Sequence, residues 1–180
     1  IEGGFIRSSV NLIAGQTGTG KTIFGMQYLL HGLRLGESCL YITLEQQVED
    51  ILSDMKKFGW EEEFQKYIAR GKFILRYQPP STVAELREVT NSLIKRVNAK
   101  RFVLDSLSIA TMGWKESSMD IGKIRMDIFN YILGLKRLGI TSLLVVEIPE
   151  SEIKALSRFG FEEFIVDGVI VLHYMGYATG

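Results

Sequence analysis

Several features that mark particular classes of protein are scarce or missing in this sequence. Only one of the 180 residues is a cysteine, Cys39, so no internal disulfide can form and a reducing compartment is favoured. No apolar run reaches the roughly 18 residues that a membrane-spanning helix needs, and no signal peptide is present. The chain also starts without a methionine, at Ile1. We therefore expect a cytoplasmic protein, of which this sequence is a piece truncated at both ends.

Neither sign of charge is in excess. Lysine and arginine together number 21, aspartate and glutamate also number 21, and the formal net charge is zero. An excess of positive charge for holding a phosphate backbone is therefore missing, which argues against strong nucleic-acid binding. The hydrophobic content of 46% and the charged content of 23% are ordinary for a soluble globular protein.

Short apolar runs alternate with amphipathic stretches, which is typical of βαβ units around a parallel sheet. The predicted strands cover residues 10–14, 38–44, 73–77, 102–104, 142–148 and 164–174. The predicted helices cover residues 22–35, 48–58, 82–97 and 118–138. The third helix should open with a capping box between Thr82 and Glu85. The last helix should follow a polar loop at 106–118. Its buried face should consist of Ile121, Ile124, Ile128, Ile132 and Leu135. One α/β domain covering residues 1–180 accounts for the whole pattern.

A glycine-rich turn follows the first predicted strand and fits the phosphate-loop pattern G-x-x-x-x-G-K-[ST] in full. Its glycines allow successive backbone N–H groups to point at phosphate oxygens, and the next helix adds its positive N-terminal end. We expect Lys21 to reach the β- and γ-phosphates of a nucleotide, and the Thr22 hydroxyl to bind Mg²⁺. The predicted nucleotide-binding residues are Gly15, Gln16, Thr17, Gly18, Thr19, Gly20, Lys21 and Thr22.

Asp105 stands at the carboxyl end of the predicted strand 102–104, which is where ligands of open α/β sheets collect. It fits the acidic residue that supports Mg²⁺ in P-loop nucleoside triphosphatases, either directly or through water. The simpler alternative is a strand-end aspartate that caps a loop. The phosphate loop upstream in the same sheet favours the metal-binding role for Asp105.

Two glutamates also end predicted strands. Glu45 either orients or deprotonates a water that attacks the γ-phosphate, or it is a helix-entry carboxylate favoured by the helix dipole. Glu147 either senses the γ-phosphate or is a solvated acid at a strand end. The positions of these residues alone leave both alternatives open.

Nearly the whole chain resembles the KaiC-like branch of the RecA-type ATPases. Besides the phosphate loop, the resemblance lies in the segments 2–5, 27–29, 102–107, 158–164 and 166–170. It implies a RecA-like P-loop core with a mostly parallel central sheet flanked by helices, and ATP and Mg²⁺ as ligands. It further implies ATP sites between neighbouring subunits, usually in a hexameric ring. It places a pair of catalytic glutamates after the second strand, of which the first matches Glu45. We expect Glu45 and Lys21 to be the catalytic residues.

The chain departs from the family pattern in ways that affect the expected chemistry. Gln46 stands where the family often has the second catalytic glutamate, which puts the rate of hydrolysis in doubt more than the activity. The stretch 147–167 has the isolated serines Ser151 and Ser157 instead of the adjacent Ser/Thr pair of the family's autokinase, so autokinase activity is not expected. The family's Lys-x-Arg-Gly segment, which reaches into the neighbouring subunit's site, would lie beyond Gly180.

Three functions remain possible at this point. The first is a ring-forming, Mg²⁺-dependent, slow ATPase, and the second is an ATP-sensing scaffold with negligible turnover that binds an unknown protein partner. The third is an accessory protein of DNA recombination or repair. In RecA-type recombinases two loops carry DNA, and the corresponding segments here, 106–118 and 149–161, balance their lysines and arginines with glutamates. Sequence-independent phosphate binding by these loops should therefore be weak.

Overall fold

The computed structural model describes residues 4–113, 121–148 and 162–174. The strands within these ranges are β1 (Val10–Gly15), β2 (Cys39–Thr43), β3 (Phe73–Tyr77), β4 (Arg101–Asp105), β5 (Thr141–Glu147) and β6 (Gly168–Leu172). The α-helices are α1 (Lys21–Arg34), α2 (Val48–Lys57), α3 (Glu61–Ala69), α4 (Val83–Val97), α5 (Leu107–Gly113) and α6 (Ile121–Leu138). A short 3₁₀ turn occupies Glu162–Phe164.

The six strands form one parallel sheet in the order β3-β2-β4-β5-β1-β6. Because β1 pairs with β5 and β6 and not with β2, the chain crosses over two strands between β1 and β2. The carboxyl ends of all six strands meet at one edge of the sheet. The fold class expected from the sequence is thereby confirmed, and this edge is where a ligand of such a sheet binds.

The sheet lies between two layers of helices and contributes to a separate hydrophobic core on each face. One core joins the sheet to α1, α2 and α3, and it includes Met26, Ile51 and Phe64. The other joins the sheet to α4, α5 and α6, and it includes Leu86 and Ile128. Alternate residues of the four inner strands enter opposite cores, so these strands are buried on both faces.

The predicted capping box of α4 is confirmed. The Thr82 hydroxyl accepts a hydrogen bond from the Glu85 backbone N–H, and the Glu85 carboxylate accepts one from the Thr82 backbone N–H. Two donors that a helix start leaves without partners are thereby satisfied. None of the helices in the described part of the chain has the length and apolar character needed to cross a membrane.

The expected polar loop at 106–118 is wrong for its first half, where the chain forms α5. Ser106 caps the start of this helix, since its hydroxyl accepts a hydrogen bond from the Ile109 backbone N–H at 3.3 Å. Leu107 and Ala110 are buried in the core against β5 and α4. Burial of Leu107 and Ala110 therefore stabilises this short helix. The polar residues of the segment had led us to predict a loop instead. Residues 114–120 lie outside the described ranges.

The last predicted strand is also wrong in its extent. Phe164 belongs to the 3₁₀ turn and is 80% exposed, and strand pairing begins only at Gly168. Just before that point the Asp167 carboxylate accepts a hydrogen bond from the Val10 backbone N–H at 2.8 Å. Gly168 fits there because a Cβ atom would lie 2.7 Å from the Asn11 side-chain oxygen.

Four of the five residues predicted on the buried face of α6 are buried, but Ile121 is 55% exposed. Helical side chains lean toward the N-terminus of their helix. As the first residue of α6, Ile121 therefore leans past the helix start and not over a preceding turn. Tyr131 is buried in addition to the predicted residues, and its hydroxyl pairs with that of Thr90 at 3.1 Å.

Candidate functional site

The phosphate loop connects β1 to α1 through five residues, 16–20. Gly18 and Gly20 have φ angles of 81° and 90°, in the left-handed region that side chains disfavour. A Cβ atom on Gly15 would lie 2.6 Å from the Thr19 hydroxyl and 2.8 Å from the Leu172 carbonyl oxygen. Gly18 and Gly20 are therefore favoured by the backbone conformation, and Gly15 is required by its close packing against Thr19 and Leu172.

Lys21 is buried, with only 7% of its surface exposed. Its ammonium group donates hydrogen bonds to the carbonyl oxygens of Gly15, at 3.0 Å, and of Gln16, at 2.7 Å. The positive charge is thus held inside the loop, beside the backbone N–H groups that open α1. This is the arrangement from which a lysine can reach an anion bound in the loop.

Asp105 and Thr22 are brought into direct contact, as their shared predicted role requires. One carboxylate oxygen of Asp105 accepts hydrogen bonds from the Thr22 hydroxyl, at 2.6 Å, and from the Tyr41 hydroxyl, at 2.5 Å. Burial raises the pKa of Asp105 above its ordinary value, although these two hydrogen bonds and the charge of Lys21 act to lower it. The hydroxyl and the carboxylate are hard oxygen donors of the kind that Mg²⁺ takes beside nucleotide phosphates.

Glu45 follows β2 and lies beside Asp105. Its carboxylate accepts a hydrogen bond from the Ser106 hydroxyl at 2.6 Å. Partial burial raises the pKa of Glu45, and the nearby carboxylates of Asp105 and Glu147 raise it further. The Ser106 hydrogen bond and the charge of Lys21 oppose this shift. As a residue Glu45 remains open to solvent, so its carboxylate is oriented on one side and accessible on the other.

The turn that carries Glu45 is fixed by Thr43. The Thr43 hydroxyl accepts hydrogen bonds from the backbone N–H groups of Glu45, at 3.3 Å, and of Gln46, at 3.0 Å. The adjacent backbone N–H of Leu44 donates to the Asp105 carbonyl oxygen at 2.7 Å, which ties the end of β2 to the end of β4. The distance between the Glu45 and Asp105 regions is therefore set by the sheet and not by a free loop.

Glu147 ends β5 next to the phosphate loop. Its carboxylate accepts a hydrogen bond from the Thr17 hydroxyl at 3.2 Å, and its backbone N–H donates to the Ser108 hydroxyl at 2.9 Å. Glu147 therefore connects Thr17 of the phosphate loop to Ser108, near the start of α5. The strand ends thus bring together Lys21, Thr22, Glu45, Asp105 and Glu147, all of which the sequence singled out.

The arrangement of a phosphate loop, a buried aspartate and a strand-end glutamate agrees with the comparison to known families. A family model for the KaiC ATPase matches residues 1–179. The chain belongs to the KaiC family of ATPases. The family resemblance noted in the sequence is therefore confirmed.

Relatives and a solved structure support the same assignment to the KaiC family. The chain is 32% identical to the circadian clock oscillator protein KaiC of Thermostichus vulcanus and 31% identical to that of Synechococcus elongatus, over 94% of its own length in each case. It is 36% identical to a KaiC-like protein from the hyperthermophilic archaeon Pyrococcus horikoshii OT3, with a TM-score of 0.82 over 95% of this chain and 74% of that one. The chain spans about a third of the length of the two curated relatives, 34% of each.

Two residues that contact the acidic residues of the candidate site were not singled out by the sequence. Tyr41 lies within the apolar run of a predicted strand, where nothing in the sequence indicates a partner for its hydroxyl. Ser106 lies just after Asp105, in the segment expected to be a loop. Both donate hydrogen bonds to the acidic residues of the site. The peptide bond between Asp105 and Ser106 is cis.

Proposed function

We propose that this chain binds ATP together with Mg²⁺ at the phosphate loop and hydrolyses the ATP slowly. The observation that supports this most strongly is the convergence of Lys21, Thr22, Asp105 and Glu45 at the carboxyl edge of one sheet. These side chains supply a cation for the phosphates, two oxygen donors for a metal and a candidate base for water. Membership of the KaiC ATPase family points to the same reaction.

Lys21 supplies the charge that recognises the β- and γ-phosphates. Its ammonium group already lies between the loop carbonyls of Gly15 and Gln16, at 3.0 and 2.7 Å. Phosphate oxygens are anionic acceptors, and hydrogen bonds to them are roughly twice as strong as those to neutral carbonyls. Binding therefore redirects the lysine toward the nucleotide, while the N–H groups at the start of α1 hold the phosphates in place.

Thr22 and Asp105 hold the metal side of the nucleotide. When held there by Thr22 and Asp105, Mg²⁺ would polarise the phosphate oxygens and neutralise the charge that develops on them. Asp105 is buried with a raised pKa, so its ionised form is disfavoured by its surroundings. A divalent cation reverses this preference, because an opposite charge nearby favours the carboxylate. Asp105 is thus better matched to a metal-bound nucleotide than to an empty site.

Glu45 accepts the proton of the attacking water. Ser106 donates a hydrogen bond to one carboxylate oxygen at 2.6 Å, and Glu45 as a residue is open to solvent, so a water can approach it. A raised pKa brings a glutamate closer to the operating pH, which is where a general base is most effective. Gln46 contributes no second carboxylate, and we propose that turnover is slow for this reason.

An ATP-sensing scaffold with negligible turnover is the second candidate, and Gln46 is the residue that favours it. The neutral amide of Gln46 cannot act as a second general base, and in such a scaffold Glu45 would be only a helix-entry carboxylate, favoured by the dipole of α2. Bound nucleotide would then set the affinity for a protein partner. Measured phosphate release separates the two candidates, because only the first predicts Mg²⁺-dependent turnover.

We further propose that the protein works as a homo-oligomer, with a hexameric ring favoured and the ATP sites between neighbouring subunits. This proposal rests on family membership. Glu45 is open to solvent in the single chain, so a neighbouring subunit has room to contribute to the γ-phosphate side of the site.

The lysine in the phosphate loop provides the first test of nucleotide binding. Lys21→Ala removes the charge that faces the β- and γ-phosphates, so we expect no binding at micromolar ATP by isothermal titration calorimetry. Lys56→Ala, which removes an exposed lysine of α2, serves as the matched control and should bind ATP normally. Near-normal ATP affinity of a folded Lys21→Ala protein would overturn the assignment of the phosphate loop.

A further inference from the structure

Tyr174 lies beside the phosphate loop. It follows β6, which pairs in parallel with β1 so that Leu172 lies opposite Gly15. The chain therefore continues past the end of β6 along the flank of the loop. The Tyr174 hydroxyl is 3.5 Å from the Thr17 carbonyl oxygen, and it occupies the space that a Cβ atom on Gly18 would need.

The order of the strands divides the site into two sides. Asp105 and Glu45 belong to β4 and to the end of β2, which lie on one side of β1, whereas β6 lies on the other. In the proposed function the metal, the γ-phosphate and the attacking water occupy the side of Asp105 and Glu45. With the phosphates along the loop, the adenosine end of the nucleotide would extend away from these acids, toward β6.

The exposure of Tyr174 leaves its ring available to a ligand. The side chain is 63% exposed, although its hydroxyl touches the loop. A planar ring with a free face beside a nucleotide site suits a base, because aromatic side chains and bases stack through their π faces.

We propose that Tyr174 is the residue that binds the adenosine part of the nucleotide, by stacking against the base. This inference rests on the proposed function, since it presumes a nucleotide whose phosphates occupy the loop. It adds a contact that depends on the base and not on the phosphates. The contribution of Tyr174 is therefore separable from that of Lys21, which acts on the phosphates alone.

The test compares a ligand that has a base with one that lacks it. Binding of ATP and of inorganic tripolyphosphate, each with Mg²⁺, is measured by calorimetry on the parent protein and on Tyr174→Ala, Tyr174→Phe and Phe164→Ala. The last variant is the matched control, since Phe164 is an exposed aromatic residue before the opposite end of β6. We expect Tyr174→Ala to bind ATP about 5- to 100-fold more weakly, as loss of one stacked base predicts, with tripolyphosphate affinity unchanged. Tyr174→Phe and Phe164→Ala should bind ATP normally.

Other outcomes contradict the inference in distinguishable ways. Equal weakening of ATP and tripolyphosphate by Tyr174→Ala would show that the ring merely supports the loop. Unchanged ATP affinity in that variant would show that the base lies elsewhere, and weakening by Tyr174→Phe would replace stacking by recognition through the hydroxyl. A parent protein that binds neither ligand would overturn the proposed function itself, together with this inference.

Discussion

Asp105 is the residue at which the opposing demands of folding and of chemistry are clearest. Its buried carboxylate has a raised pKa even though Thr22, Tyr41 and Lys21 all favour the ionised form. The stability that such a group contributes is present at low pH and is lost as the pH rises from its ordinary value, 3.8, through the raised pKa. Above that raised pKa the ionised carboxylate therefore costs stability when no cation is bound.

Asp105→Asn should separate these two demands. The amide oxygen can still accept hydrogen bonds from Thr22 and Tyr41, but the buried negative charge is gone. We expect the variant to bind nucleotide, to lose Mg²⁺-dependent turnover, and to melt at the same or a higher temperature than the parent at pH 7 without nucleotide. Phosphate release and calorimetric melting measure the two effects. Parental Mg²⁺-dependent activity in Asp105→Asn would show that Asp105 is structural.

The sequence predicted the acidic and phosphate-loop residues of the site because each occupies a position with a local signal. Gly15 to Thr22 fit a continuous pattern, and Asp105 and Glu45 end apolar runs. Tyr41 and Ser106 have no such signal. The Tyr41 hydroxyl reaches Asp105 only because β2 and β4 are neighbours in the sheet, although they are distant in the sequence. Contacts of this kind follow from strand order, which periodicity does not provide.

Among the helices, α4 shows how a local signal can specify an element boundary. Thr82→Ala removes the hydroxyl that caps the Glu85 backbone N–H, so we expect the free energy of unfolding to fall by about 1 kcal/mol. Ser92→Ala, at an exposed position inside the same helix, is the control and should leave stability nearly unchanged. Urea denaturation of both variants provides the measurement. A loss as large in Ser92→Ala as in Thr82→Ala would contradict the capping role.

The elements that the sequence misjudged lack such signals or depend on distant partners. α3 was not predicted, although three glutamates occupy its first turn. Phe64 is the buried residue of this helix, so α3 lacks a longer apolar stripe. α5 is short and is stabilised by the burial of Leu107 and Ala110. The start of β6 is determined by Asp167 bonding to the backbone of Val10, 157 residues earlier. Local periodicity cannot locate a boundary that a long-range hydrogen bond decides.

For the molecule as a whole, the proposed ring makes assembly part of the active site. We expect the full-length protein to form a larger assembly, with a hexamer favoured, when ATP and Mg²⁺ are present, because the nucleotide would lie between subunits. Light scattering coupled to size-exclusion chromatography, with and without nucleotide, gives the mass directly. A protein that stays monomeric at saturating ATP while hydrolysing it at full rate would contradict the intersubunit site.

Gln46→Glu tests whether the missing second carboxylate limits the rate of hydrolysis. It restores the second carboxylate of the family pattern beside Glu45. If one missing carboxylate limits the rate, turnover by the assembled protein should rise. An unchanged rate would show that Gln46 does not limit hydrolysis, without bearing on the role of Glu45.

The central claim is that Glu45 is the general base of an ATPase, and Glu45→Gln tests it most directly. A positioned general base contributes about 10²–10⁴-fold to a rate, whereas a carboxylate that only favours the start of a helix contributes about 0.3–1 kcal/mol of stability. Phosphate release and ATP affinity are measured on the assembled parent and variant. The account predicts parental ATP affinity with hydrolysis reduced about 10²–10⁴-fold. Hydrolysis by the assembled Glu45→Gln protein at the parental rate would contradict the account and would favour the scaffold.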